Sequence, residues 1–80
     1  MNHPTLCDLT DIVGAYVDLS SVAVTEASVL GDDIPIDSQE MLRVVSRIKA
    51  LYRVTLTGRD LFAVVTMGDL LAAVRRGMNP

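Results

Sequence analysis

The 80-residue chain has no tryptophan, one cysteine, one histidine, and no lysine or arginine before Arg43. Cys7 alone excludes an intramolecular disulfide and a cysteine-based metal cluster. Nothing beside it in the sequence activates a thiol, so it reads as a small core or surface residue. His3 has no cysteine or aspartate at catalytic or metal-ligand spacing, and the adjacent Asp32 and Asp33 read as a solvated turn without a third ligand. The chain is therefore not expected to be an enzyme. No apolar run is long enough to span a bilayer, and no basic segment followed by an apolar one opens the chain. A soluble, cytoplasmic protein is expected. Tyr16, Tyr52 and Phe62 are the only aromatic residues, so the core must be built from aliphatic side chains.

Half of the residues are hydrophobic and 21% are charged, a globular rather than a disordered composition. The length fits a single domain over residues 1–80. The net charge of −3 hides a division: residues 1–40 hold eight acids and no base, residues 41–80 seven bases and two acids. The two halves thus carry −8 and +5, and such a dipolar domain is oriented by the field of a charged partner.

Apolar spacing predicts an all-α domain of three longer helices and one short helix, a small four-helix bundle with a long loop between helices 1 and 2. Leu6, Leu9, Val13 and Val17 make one stripe, which sets helix 1 over roughly 6–18 after a Thr5-x-x-Asp8 capping box. Residues 19–36 lack periodicity. That is long for a loop in so small a domain, and Val22, Val24, Val29, Leu30, Ile34 and Ile36 are expected to pin it to the helices. Helix 2 runs over roughly 38–52, with Met41, Val44, Val45, Ile48, Leu51 and Tyr52 as its buried stripe. Asp37 and Glu40 form its capping box, which makes Asp37 the N-cap and Ser38 the first helical residue. Ser38 is then relieved of capping, and its hydroxyl points outward at the positive end of the helix dipole. Arg53 to Leu56 is an extended connection. A short helix begins near Gly58, with Leu61, Phe62 and Val64 as apolar contacts. A last helix begins after Thr66 and ends with Gly77 as its C′ residue.

Four stretches resemble the acyl carrier protein family: I-D-S entering helix 2, M-L-R-V-V-S-R-I-K behind it, G-R-D-L-F-A-V in the short helix, and T-M-G-D-L-L-A-A-V in the last. They lie in the segment from Asp32 to Val74, and V-T-E-A-S-V-L in the long loop extends the resemblance more weakly. The resemblance implies that Ser38 is the attachment point of 4′-phosphopantetheine, placed by a phosphopantetheinyl transferase that recognises Asp37. It implies that acyl-loading and acyl-processing enzymes are the partners, and that a short acyl chain tucks against Val45, Ile48, Leu56, Leu61 and Val64. The elementary chemistry agrees, because a phosphodiester at a helix N-terminus meets free N–H groups and a favourable dipole.

The chain departs from the family at two points. Gln39 stands where the family usually has a partner-contacting Leu, and helix 2 and its end carry Arg43, Arg47, Lys49 and Arg53 where fatty-acid carriers are acidic. Arg43 with Arg47, and Lys49 with Arg53, are like-charge i,i+4 pairs that each cost about 0.2–0.5 kcal/mol. Gln39, Met41, Leu42, Arg43 and Arg47 are the expected partner-binding residues, facing acidic or neutral surfaces in a specialised polyketide or fatty-acid-like pathway. A peptidyl or aryl carrier is the nearest alternative, although I-D-S fits an acyl carrier better than G-G-x-S or G-H-S. A small helical interaction module is the alternative from another class. Nucleic acid is not an expected partner, since the overall balance is acidic and no basic recognition turn joins two helices. A monomer is expected.

Overall fold

The computed structural model describes residues 4–78; His3 lies outside them. The described chain is mostly helical, with α1 at Leu6–Gly14, α2 at Ser38–Tyr52, α3 at Gly58–Phe62 and α4 at Met67–Met78. Among the described residues there is no strand, only two isolated β-bridges. α1 packs against α4 and α2, and α3 packs against α4. One aliphatic core unites them, with Leu9, Val13, Val44, Ile48, Leu70 and Val74 fully buried. No helix of the described residues is long and apolar enough to cross a membrane.

Each helix starts at a reciprocal cap, in which a side chain satisfies an otherwise free N–H of the first turn. Thr5 with Asp8, Asp37 with Glu40 and Thr57 with Asp60 complete the boxes of α1, α2 and α3. In front of α4, Thr66 Oγ1 accepts from Asp69 N at 3.1 Å and Asp69 accepts from the N–H groups of Val65 and Thr66. These bonds favour the carboxylate. The Thr57 N–H, then its hydroxyl, hold Asp60 below the usual 3.8, and the Thr66 and Val65 N–H groups do the same for Asp69. A carboxyl whose folded value is depressed adds stability in full above 3.8 and loses it as the pH falls through the lowered folded value. Helicity measured by circular dichroism is therefore expected to drop in acid below that point. Asp69→Asn is expected to lower stability at neutral pH and flatten the acid limb.

The segment between α1 and α2 is tied down by backbone bonds. The carbonyls of Ser28 and Glu26 accept from Met67 N at 3.0 Å and Gly68 N at 2.9 Å, which satisfies two first-turn donors of α4. Leu30 N donates to Val65 O at 2.9 Å. The one buried polar side chain among the described residues, Ser28, accepts from Thr25 N at 2.8 Å. Ile34 and Ile36 are buried in the core, and Val22, Val24 and Leu30 are half-buried against it; Val29 is half-buried.

Five expectations need correction. α1 ends at Gly14 rather than 18: Ala15 and Tyr16 donate to carbonyls three residues back, and Asp18 then accepts from Ser20 N in a turn. Val17 is buried all the same. Leu51 and Phe62 are exposed rather than buried: Leu51 shares the side of Val44 but sits in the last turn of α2, and Phe62 ends α3, which buries no residue. Gly77 lies inside α4 rather than after it. A Cβ there would stand 2.8 Å from Thr55 O and 3.3 Å from Val54 Cβ, so the glycine lets the connection at Val54 and Thr55, which begins after the left-handed rather than extended Arg53 (φ 54°), cross the helix closely. Gly77→Ala places a methyl group against backbone and is expected to cost about 1–3 kcal/mol. The better helix propensity of alanine, worth up to about 1 kcal/mol, offsets part of this. A lower midpoint in urea checks the sign.

Candidate functional site

The start of α2 is set by Asp37, whose extended backbone (φ −97°, ψ 179°) turns the chain into the helix. Its carboxylate accepts from Glu40 N at 2.7 Å, and Glu40 Oε1 accepts from Asp37 N at 3.0 Å. Met41 N donates to Asp37 O at 2.9 Å, the first helical bond. The capping box is thus closed without Ser38. Ser38 is the first residue of α2, is exposed, and has a hydroxyl with no hydrogen-bond partner among the described residues. The N–H groups of Ser38 and Gln39 likewise have no protein acceptor there.

Ser38 stands on the wall of an open groove of about 580 Å³ between α2, α3 and the segment before α2. The α2 side is Ser38, Met41, Leu42 and Val45; Leu61 and Val64 close it from α3 and just beyond. Leu30, Gly31 and Ile36 line the remaining wall. Gly31 takes φ +89°, a conformation L side chains rarely adopt. The turn it makes, with Gly31 N donating to Ile34 O at 2.8 Å, brings Leu30 and Ile36 to the same wall. Asp37 is the only ionisable side chain in the lining, so the groove suits an apolar guest with a polar end at Ser38.

Of the residues expected to meet an acyl chain, Val45, Leu61 and Val64 line the groove with Ser38. Ile48 and Leu56 do not; they are buried in the core behind it. Of the expected partner-binding residues, Met41 and Leu42 also line the groove, whereas Gln39, Arg43 and Arg47 are exposed on the outer surface of α2. Leu30, Gly31 and Ile36 were not expected in the site. Their only signal was an apolar residue on either side of a Gly-Asp-Asp turn, and that does not reveal which helix the turn faces. Among the described residues no group of three His, Cys, Asp or Glu side chains is placed to hold a metal ion. Asp33 instead accepts from Val29 N at 2.9 Å.

No family model matches the chain, and no curated protein matches it. What the site can do follows from its own groups: a free hydroxyl, two free N–H donors beside it, and an apolar groove opening from the same point.

Proposed function

We propose that the chain is a discrete acyl carrier, a cytoplasmic monomer with the four-helix-bundle arrangement of that family, whose Ser38 bears 4′-phosphopantetheine. The observation that carries this reading is the division of labour at the start of α2. Asp37 and Glu40 do the capping, and the adjacent exposed hydroxyl opens onto an apolar groove. Serine is favoured at the start of a helix chiefly as the cap, a role Asp37 already fills here.

The residues present fit the group. Ser38 Oγ is the point of esterification, and the N–H groups of Ser38 and Gln39 are the donors available to a phosphodiester at the positive end of α2. When attached, the arm supplies a terminal thiol that holds an acyl group as a thioester. Met41, Val45, Leu61 and Val64 shield apolar cargo from water, while the open side of the groove lets it leave toward a partner enzyme. Asp37 has a second role in this reading, as a contact for the phosphopantetheinyl transferase. Gln39 replaces an apolar contact with a polar one, which points to loading and processing enzymes other than those of general fatty-acid synthesis, in a polyketide or related pathway.

The test is incubation of the chain with coenzyme A and a broad-specificity phosphopantetheinyl transferase, read by intact mass. The wild type is expected to gain one phosphopantetheine and Ser38→Ala none.

A further inference from the structure

Gly68 lies in the first turn of α4 and is not in the left-handed region, so conformational freedom does not account for a poor helix former there. A close approach does. A Cβ on Gly68 would stand 3.0 Å from Glu26 O and 3.2 Å from Glu26 Cβ, tighter than an ordinary contact. The bare Cα lets the segment between α1 and α2 close onto the start of α4.

That approach is the base of a short antiparallel ladder. Gly68 N donates to Glu26 O at 2.9 Å, Met67 N to Ser28 O at 3.0 Å and Leu30 N to Val65 O at 2.9 Å, around the bridge of Val29 with Thr66. The α4 side is fixed: Met67 is fully buried, and Asp69 accepts from the N–H groups of Val65 and Thr66 at 3.1 Å. The other side ends in a turn closed on itself. Val29 N donates to Asp33 Oδ2, Ile34 N to Val29 O and Gly31 N to Ile34 O. Ile34 and Ile36 anchor the far end of that turn in the core. A displacement at Glu26 is therefore carried to Leu30 and Gly31, which lie between the two anchors.

Leu30 and Gly31 form one wall of the groove at Ser38, and Val64 belongs to another. Val64 is the neighbour of the residue whose carbonyl takes the Leu30 N–H. The ladder thus ties two walls together, leaving Met41, Leu42 and Val45 of α2 as the third. We infer that Gly68 is a positioning residue for the groove: by letting Glu26 close on α4 it fixes Leu30 as a wall, and so sets how firmly an apolar guest is held. This role deepens the carrier reading and rests on it for the identity of the guest, an acyl chain; the placing of Leu30 stands without it.

The full chain, without the arm, is titrated with 1-octanol as the apolar probe while amide resonances are followed. Saturable shifts are expected at Leu30, Val45, Leu61 and Val64. Gly68→Ala asks Glu26 to give by a few tenths of an ångström, and Gly68→Val by more. Both are expected to move the Leu30 and Gly31 resonances of the free chain, valine further than alanine. Gly68→Val is expected to weaken octanol binding about fourfold, which corresponds to one buried CH₂ fewer on the guest, and Gly68→Ala by less. If the valine variant does not fold, the alanine variant decides. Gly77→Ala is the control for a merely structural effect. Its contacts are Val54 and Thr55, which do not line the groove, so it should lower the urea midpoint and leave the octanol affinity of the folded chain unchanged. Octanol affinity indifferent to residue 68, or weakened equally by Gly77→Ala, would overturn the inference, as would a wild type without saturable shifts in the groove. The mass test at Ser38 fails independently. A chain that takes no arm yet shows these octanol effects refutes the carrier and leaves Gly68 its role; a chain that takes the arm while octanol binding ignores residue 68 does the reverse.

Discussion

Ile48→Ala is expected to leave much of the chain unfolded at room temperature. Ile48 is fully buried beside Val44 and Leu70 in the aliphatic core, and truncating such a residue to alanine costs about 2–5 kcal/mol in lost transfer energy and residual cavity. A domain of this length has only about 3–5 kcal/mol in total. The variant's urea transition should therefore begin without a native baseline. Val64→Ala makes the informative contrast. Val64 is half-buried and borders the groove rather than the core, so its loss should shift the midpoint only slightly while widening the space beside Ser38. If Ile48 were instead a wall of the cargo site, Ile48→Ala would stay folded and alter only what the groove accepts.

Ser38→Ala is expected to abolish attachment of the arm while leaving stability within about 0.5 kcal/mol of the wild type, the usual range for an exposed substitution away from special features. The reason is local. Its hydroxyl has no hydrogen-bond partner among the described residues, and the cap bonds at 2.7 and 3.0 Å belong to Asp37 and Glu40. Asp37→Ala should show the reverse pattern in a denaturation curve, losing about 1 kcal/mol with the cap. The pair of variants separates a residue that holds the helix from a residue that the helix holds out.

The parts of the fold legible in the sequence are those governed by chemistry within four residues. Thr5–Asp8, Asp37–Glu40, Thr57–Asp60 and Thr66–Asp69 each mark a helix start that the backbone obeys, and the Val44–Val45–Ile48 stripe marks the buried side of α2. What was not legible depends on which distant segment arrives. Gly77 looks like a helix stop until Thr55 is seen crossing it. Ile48 and Leu61 are equally apolar, yet one is fully buried in the core while the other borders open space. Leu30 and Ile36 join the site only because the turn at Gly31 folds back on Ile34 and Leu30 N reaches Val65 O. Phe62 reads as core by type and spacing, but a helix of five residues has room to turn only part of its circumference inward.

The claim that Ser38 is an attachment point is tested most directly by one mass spectrum. The full chain and Ser38→Ala are each incubated with coenzyme A and a broad-specificity phosphopantetheinyl transferase, with a known carrier as the positive control. The account predicts one phosphopantetheine on the wild type, located to the peptide containing Ser38, and none on the variant. A wild type that stays unmodified while the control is loaded, or a variant that gains the same mass, would contradict it.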